Sequence, residues 1–441
     1  MERQQEYVLR TVEERGVRLI RLWFTDVLGQ LKSIAISPAE IAAVFEEGLQ
    51  FDGSSIDGFS RKQESDVLAR PDPGSFELLP WARDDEPTAL MFCDIENLDG
   101  SPFEGDPRQV LRRNLRKAQD KGFTFFTAPE VEFFYFADGD PSKEPQPLDR
   151  ASYFDLTTAD VASDLRRRTL HMLEALGIPV EYSFHEDSPS QHEIDLQYSE
   201  ALSMADNIMT LRLVVRKIAM DAGVWATFMP KPLNGVQGSG MHTHLSLFKG
   251  NENAFFEAKG EFQLSKTALW FIGGLLEHAP GMTAVTNPLV NSYKRLVPGF
   301  EAPTNVAWSA SNRSAMIRVP AKRGASTRAE LRMPDAACNP YLALAVMIAA
   351  GLDGIKSKIT PPPPIQRNIF QMSVRDKRRH KVSGLPTTLR EALDDLEKDP
   401  VIREALGEHA HDQFLDAKRA EWRSYAATVH PWELERYLEM V

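Results

Sequence analysis

The chain has 441 residues, 42% of them hydrophobic, with 63 acidic against 51 basic side chains and a formal net charge of -12. That length allows a large core and two or more domains, and the acidic balance argues against nucleic acid or a membrane surface as the main partner, because both select basic faces. No apolar stretch is read as a membrane span, the N-terminal MERQQEYVLRTVEERG lacks a signal peptide's apolar segment, and Cys93 and Cys338 belong to no motif with metal or redox spacing, so a cytoplasmic protein with two buried, inert thiols is expected.

The first sixteen residues predict an amphipathic helix. VRLIRLWFTDVLGQLKSIAI predicts a hairpin turning near Gly29, and SPAEIAAVFEEG a short helix with Ser37 as cap, Pro38 first and Gly48 as stop. FDGSSIDGF is too rich in glycine and serine for a regular element; it is a shaped loop around Asp52 or a plain turn. Strands at ESDVLARPD, SFELLPW and ALMFCDIEN complete a mixed unit, and the helix DPRQVLRRNLRKAQDKG, capped by Asp106, opens a second domain.

TAPEVEFFYF, residues 127–136, predicts a buried strand. Alternation puts Glu130 and Glu132 on one face, roughly 7 Å apart. Two carboxylates beside four aromatics raise each other's pKa unless a cation offsets them, so the pair is a metal site or a half-exposed strand with solvated glutamates. After an acidic loop and a helix at VASDLRRRTLHMLEALG, PVEYSFHED and SPSQHEIDLQY add Glu181, Glu186 and Glu193. The helix SMADNIMTLRLVVRKIAMDAG leads to FMPKPLNGVQGSGMHTHLSLF, where His242, His244 and Ser246 share one strand face behind a glycine-rich turn, a pattern for a metal or phosphate site or for core histidines.

A helix at FQLSKTALWFIGGLLEHAPG precedes VNSYKRLVPGFEAP, expected as a loop carrying Lys294, Arg295 and Glu301. In SNRSAMIRVPAKRGASTRAELRMPD, Arg328, Glu330 and Arg332 alternate along a strand downstream of Arg313 and Arg318. This is a solvated face or, with its arginines, a site for a polyanion such as a nucleoside triphosphate. NPYLALAVMIAAGLDGI is a core helix, RDKRRHK a solvated basic loop, and amphipathic helices follow to the end, with Pro431 opening the last. Carboxylates at 130, 132, 186, 193 and 330 with His242 form an oxygen-rich set that suits magnesium or manganese, whereas zinc would take more His or Cys. Residue chemistry alone therefore reaches a metal-dependent phosphoryl-transfer enzyme with an unidentified acceptor.

At these residues the chain closely resembles the glutamine synthetase family, type I, in its shorter, non-adenylylated subgroup. The resemblance runs through FDGSSIDGF, APEVEFF, QHEID, KPLNGVQGSGMHTHLSL, NSYKRLVPGFEAP, NRSAMIRVP and RAELRMPD. It implies an α+β fold: a small N-terminal β-grasp-like domain, 1–103, and a large catalytic domain, 104–441, with a curved antiparallel sheet flanked by helices. It implies ligation of ammonia to the γ-carboxylate of glutamate through γ-glutamyl phosphate, with ATP as substrate and two Mg2+ or Mn2+ per subunit. Glu132, Glu186 and Glu193 would hold one metal, and Glu130, His242 and Glu330 the other. Glu181, Tyr198, His244, Ser246, Arg313, Arg318 and Arg328 would surround ATP. Gln237, Gly238, Arg295, Glu301 and Arg332 would bind glutamate.

By the same resemblance Asp52, Ser55, Tyr153 and Glu186 form the ammonium pocket, with Asp52, from the neighbouring subunit, as the base and Glu301 as the residue of a closing flap. Arg313 and Arg332 complete the implied catalytic set. The implied assembly is a homo-oligomer, a dodecamer of two stacked hexamers, with the last helix reaching across to the opposite ring. Three departures stand out: Gln237 where much of the family has Asn, Phe370 in place of a modifiable tyrosine, and Ser326 in place of a lysine. Ligation of a larger amine and a catalytically silent scaffold are the competing readings. Arg61, near the ammonium loop, is a candidate for feedback regulation, and a regulatory protein partner is left open.

Overall fold

Two sheets organise the chain, and the period of its apolar residues decides what packs on each. The computed structural model describes residues 2–59, 65–82, 85–156, 160 and 162–440; Arg61 lies outside the described residues. Helix α1 (Glu2–Glu14) turns Val8 and Val12 inward. Strands β1 (Leu19–Thr25) and β2 (Leu31–Ile36) form the expected hairpin. At its turn Gly29 has φ +84°, and a Cβ there would lie 3.2 Å from Asn339, so glycine is required on both counts. Ser37 caps a short 3-10 turn that runs into α2 (Ile41–Glu47), which Gly48 ends.

Strand β3 (Leu49–Asp52) corrects the expectation of an irregular loop from Phe51 onward. Its backbone pairs with β4 (Asp66–Pro71), and the glycine-serine signal takes effect only at Gly53. SFELLPW contributes merely the two residues of β5 (Glu77–Leu78), between the Pro73 turn and Pro80. With β6 (Thr88–Glu96) the order is β2-β1-β6-β4-β3, with β5 also on β6. Ile20, Leu22, Phe24, Phe45, Val67 and Met91 fill the core of this small unit.

Asp106 caps α3 (Pro107–Gln119) as expected, accepting from the Arg108 amide at 3.0 Å. β7 (Thr124–Phe136), α4 (Ser163–Ala175), β8 (Val180–His185), β9 (Gln191–Leu196), β10 (Ser199–Glu200), α5 (Ala201–Asp221), β11 (Trp225–Thr227), β12 (Met241–Lys249) and β13 (Glu252–Asn253) follow. Next come α6 (Lys266–Glu277), α7 (Ala279–Thr286) and α8 (Ser292–Arg295). The segment expected as a loop at NSYKR therefore contains one helical turn, which buries Tyr293 and Arg295. β14 (Asn305–Val306), β15 (Trp308–Ser309), β16 (Ile317–Arg318) and β17 (Ala329–Leu331) precede α9 (Pro340–Ser357).

RDKRRHK is a second correction. Ser373 caps α10 (Val374–Arg379), so the basic run is a short helix rather than a loop, and it buries none of its residues. β18 (Ser383–Gly384), α11 (Leu389–Lys398), α12 (Pro400–Leu406), α13 (Glu408–Ala427) and α14 (Pro431–Tyr437) finish the chain.

The second sheet has ten strands in the order β15-β16-β17-β12-β7-β9-β8, with β10 and β11 on β7 and β13 on β12. All its pairings are antiparallel except β15 with β16. Helices including α3, α5, α6 and α9 bury its other face in the main core. By length and composition α9 could cross a membrane, but 72% of it is buried inside the protein, so packing makes it the core helix expected. The fold is α+β, a small N-terminal sheet unit followed by a larger sheet flanked by helices.

Candidate active site

Strand alternation splits β7 between two environments. Phe125, Val131, Phe133 and Tyr135 face the helical core, while Glu130 and Glu132 turn toward a cavity on the opposite face. Neighbouring registers then assemble the site. Glu130 lies opposite His242 of β12 on one side and Asp195 of β9 on the other, Glu132 lies opposite Glu193, and His244 lies opposite Glu330 of β17. Directly opposed residues share a face, so three rows of acidic and imidazole side chains meet over the sheet.

The hydrogen bonds are specific. His242 Nδ1 is 3.0 Å from Glu130 Oε2, and His244 Nε2 is 2.7 Å from Glu130 Oε1. Arg328 Nε donates to His244 Nδ1 at 3.1 Å, so it is the Nε2 proton of His244 that faces Glu130. Glu132 Oε2 accepts from the Gln191 amide (3.0 Å) and the Gly240 backbone (2.9 Å). Fully buried Glu330 pairs with Arg318 and, at 2.6 Å, with Arg332. Ligand atoms of Glu130, His242 and Glu330 come within 4.8 Å of one another.

Charge in the cavity is unbalanced. Burial pushes Glu130 up, but the hydrogen bonds from His242 and His244 outweigh it and hold this carboxyl well below the usual range. Glu330 is also held down, Arg332 outweighing the effect of burial together with its neighbours. Burial and the charge of Glu132 push Glu186 up to about 8, and burial and the charge of Glu130 push Asp195 up to about 8. Glu193 rises well above its ordinary value through burial and the charges of Asp195 and Glu132. Asp195 Oδ1 is buried without a hydrogen-bond partner. A pocket of buried carboxylates with an orphaned oxygen and one imidazole at its rim fits hard divalent cations, which would offset the repulsion.

This cavity, about 330 Å³, is lined by Glu130, Glu132, Tyr153, Glu186, Glu193, Gln237, Gly238, His242, Arg295, Glu301, Arg313, Arg318 and Arg332. A second, about 470 Å³, is lined by Glu181, Tyr198, His244, Ser246 and Arg328, with Phe126, Phe248 and Ser326 beside them. The two share Glu130, Tyr182 and Asp195. Arg328 and Arg332, two residues apart from Glu330 on either side, thus serve different cavities. Asp52 and Ser55 line neither: Asp52 is exposed on the small unit, its carboxyl held below the usual range by the backbone and hydroxyl of Ser54 and by Ser65.

Arg295 is 2% exposed and donates to the carbonyls of Met333 (2.8 Å) and Arg332 (3.2 Å). Gly238 must be glycine, because a Cβ there would lie 2.3 Å from the Pro230 carbonyl. Gln237 Oε1 accepts from the Glu301 amide at 2.7 Å, a contact that ties the loop of Glu301 to the glycine-rich turn. Sequence reasoning missed Gln191, Tyr182 and Asp195. Asp195 carried a usable signal, since it stands two residues from Glu193 on one strand face.

The profile described as glutamine synthetase, catalytic domain, matches residues 104–437, and that described as glutamine synthetase, beta-Grasp domain, matches residues 16–98. The chain is 56% identical to the glutamine synthetase of Thermus thermophilus over 98% of each chain. It is 51% identical to that of Mycolicibacterium smegmatis over the whole of both. Among solved structures, "GmaS/ADP complex-Conformation 1" is 33% identical with a TM-score of 0.88, covering 98% of this chain and 99% of its own. With a carboxylate-rich cavity beside a second cavity on the same sheet, and both domain profiles matched in order, the chain belongs to the glutamine synthetase family.

Proposed function

We infer that this protein is an ATP-dependent glutamine synthetase, ligating ammonia to the γ-carboxylate of L-glutamate through γ-glutamyl phosphate. One observation carries the chemistry: the acidic cavity and the second cavity lie side by side, with Glu130, Tyr182 and Asp195 in the walls of both. A nucleotide in the second cavity would direct its terminal phosphate toward a carboxylate in the first. Arg313, Arg318 and Arg332 line the acidic cavity and are placed to offset the charge of phosphoryl transfer. Divalent metal ions supply charge neutralisation for the phosphates when bound.

Finer assignments follow. Glu132, Glu186 and Glu193 hold one Mg2+ or Mn2+, and Glu130, His242 and Glu330 the second. Arg295 takes the α-carboxylate of glutamate; its buried guanidinium lines the cavity and, among the described residues, donates to the carbonyls of Met333 and Arg332 rather than to a carboxylate. Glu181, Tyr198, His244, Ser246 and Arg328 contact ATP. Glu301, on a loop fastened through Gln237, closes over the intermediate and keeps water out. Tyr153 and Glu186 bind ammonium, with Asp52 and Ser55 supplied by a neighbouring subunit; their exclusion from both cavities of their own chain supports that reading. The assembly is a homo-oligomer, which we assign as a dodecamer of two stacked hexamers. Residues 1–103 and 104–441 form the two domains, and two free, buried cysteines suit a cytoplasmic enzyme.

Phosphate release with ATP, glutamate and each amine in turn tests the function. Turnover is expected with ammonium; turnover with a polyamine or ethanolamine and none with ammonium would overturn the assignment.

A further inference from the structure

Behind the acidic cavity lies a second cluster of titratable groups, Asp149, His185 and His192, whose ligand atoms also fall within 4.8 Å of one another. Its hydrogen bonds decide against a metal. Arg166 Nη1 is 2.7 Å from His192 Nδ1, and Arg166 is fixed by Asp160 at 2.6 and 3.1 Å. A guanidinium only donates, so Nδ1 of His192 accepts and the ring proton sits on Nε2, which then has no lone pair for an ion. His185 faces acceptors through both nitrogens, the Glu186 carbonyl at 2.6 Å from Nδ1 and Asp149 Oδ1 at 3.0 Å from Nε2. Both ring nitrogens of His185 thus face acceptors, one on each of two loops.

The same carboxylate oxygen of Asp149 accepts from the Ser190 amide at 2.8 Å. Ser190 returns the contact: its hydroxyl accepts from the amides of Leu148 and, at 3.0 Å, of Asp149. Its φ of +58° belongs to the left-handed region that serine seldom occupies, so its place is set by these bonds rather than by local preference. The Phe154 amide donates to the His185 carbonyl at 3.0 Å. Asp149, His185 and Ser190 are all buried. They join two loops, one carrying Tyr153 and the other Glu186, the two side chains of the ammonium pocket that this chain itself provides.

We propose that Asp149, His185 and Ser190 form a latch that sets the spacing between Tyr153 and Glu186 and thereby the enzyme's affinity for ammonium. The proposal rests on the glutamine synthetase reading above. These are positioning residues: none lines the acidic cavity. Holding the Glu186 carbonyl from one side and Tyr153 through its neighbour Phe154 from the other, the latch fixes a two-point pocket for a small cation, to which Tyr153 contributes its place beside Glu186.

The test compares His185→Gln, His185→Asn and Asp149→Ala in the full-length assembled enzyme. A glutamine amide reaches the position of Nε2 and an asparagine amide that of Nδ1, so His185→Gln retains the donor to Asp149 that joins the two loops and His185→Asn does not. His185→Asn and Asp149→Ala are expected to raise the KM for ammonium by about 10-fold, as loss of an outer-shell partner does. His185→Gln is expected to recover most of that loss. KM values for ATP and glutamate, and the slow ADP release with glutamate and no ammonium, stay within about twofold of the wild type. Equal rises in all three KM values, an unchanged KM for ammonium, or His185→Gln no better than His185→Asn would overturn the latch. A wild-type enzyme whose turnover does not depend on ammonium would instead remove the functional reading beneath it.

Discussion

Glu130 and Glu132 stand one pleat repeat apart on a single face and both lie near His242, yet their hydrogen-bond partners differ. Glu130 is held by two imidazoles, and Glu132 by a side-chain amide and a backbone amide. That difference supports the proposal that they serve separate ions rather than acting as two arms on one. Glu130→Ala and Glu132→Ala should each remove one of two Mn2+ sites, a different one in each variant, lowering affinity there by about 10- to 100-fold. Calorimetric Mn2+ titration with paired phosphoryl-transfer assays reads both effects. Full occupancy and activity at the altered site in either variant would refute the division. The departures at single residues also have physical readings. The longer Gln237 reaches the Glu301 amide, Ser326 lines the second cavity without a charge, and Phe370, in a single 3-10 turn, has no hydroxyl to modify.

At the scale of elements, buried ion pairs carry the joints. Arg108 of α3 is 3% exposed and reaches Asp94 at 2.6 Å and Asp72 at 2.8 Å on the N-terminal unit and Asp206 of α5 at 2.9 Å, where the Tyr341 hydroxyl of α9 also donates. Removing the guanidinium leaves Asp72 and Asp94 to Arg112 and takes the cation from buried Asp206, which keeps the Tyr341 hydroxyl, so Arg108→Met should cost about 3–5 kcal/mol in urea denaturation. A loss within the error of the measurement would show that water reaches the joint. A second joint is pH-sensitive. His278, between α6 and α7, has Nδ1 2.8 Å from Asp399 and Nε2 3.2 Å from Asp353 of α9. Burial lowers its pKa, but Asp399 and Asp353 outweigh burial and the net shift is upward. The folded state thus favours the cation. Its contribution is complete below about pH 6.5 and is lost as pH rises through the higher folded value. Thermal midpoints should fall over that rise in the wild type and follow a flatter profile in His278→Gln, with the larger deficit of the variant at acid pH.

For the whole molecule, the decisive feature is what one chain leaves out. The cavity holds Tyr153 and Glu186, whereas Asp52 and Ser55 sit on the N-terminal unit, outside it. If they complete a neighbour's site, Asp52→Ala and Arg295→Ala subunits, each inactive alone, should complement when co-assembled. Random mixing in equal amounts restores roughly a quarter of the sites, because each site then draws one half from each of two chains. Activity no greater than the sum of the separate variants would place Asp52 in its own chain's site or outside catalysis. Light scattering of the same mixtures gives the subunit number and tests the dodecamer.

The sequence by itself determined whatever depends on neighbours along the chain. The caps at Ser37 and Asp106, the β1–β2 hairpin, the apolar α9 and the common face of Glu130 and Glu132 follow from spacing and side-chain chemistry within a few residues. Short elements escaped it, as at β3 and α8, because ladder pairing and burial outweigh the local preference of four residues. Only the tertiary structure decided which distant groups meet. Strand registers bring Glu130 against both His242 and Asp195, a fold-back sets the Gln237 amide on Glu301, and His185 bridges two loops. No period or spacing encodes those meetings: the loop contacts depend on how the chain folds back, and the strand contacts on the pairing of segments some 60 to 110 residues apart in the sheet, where a shift of one residue would turn each of these side chains away from the cavity.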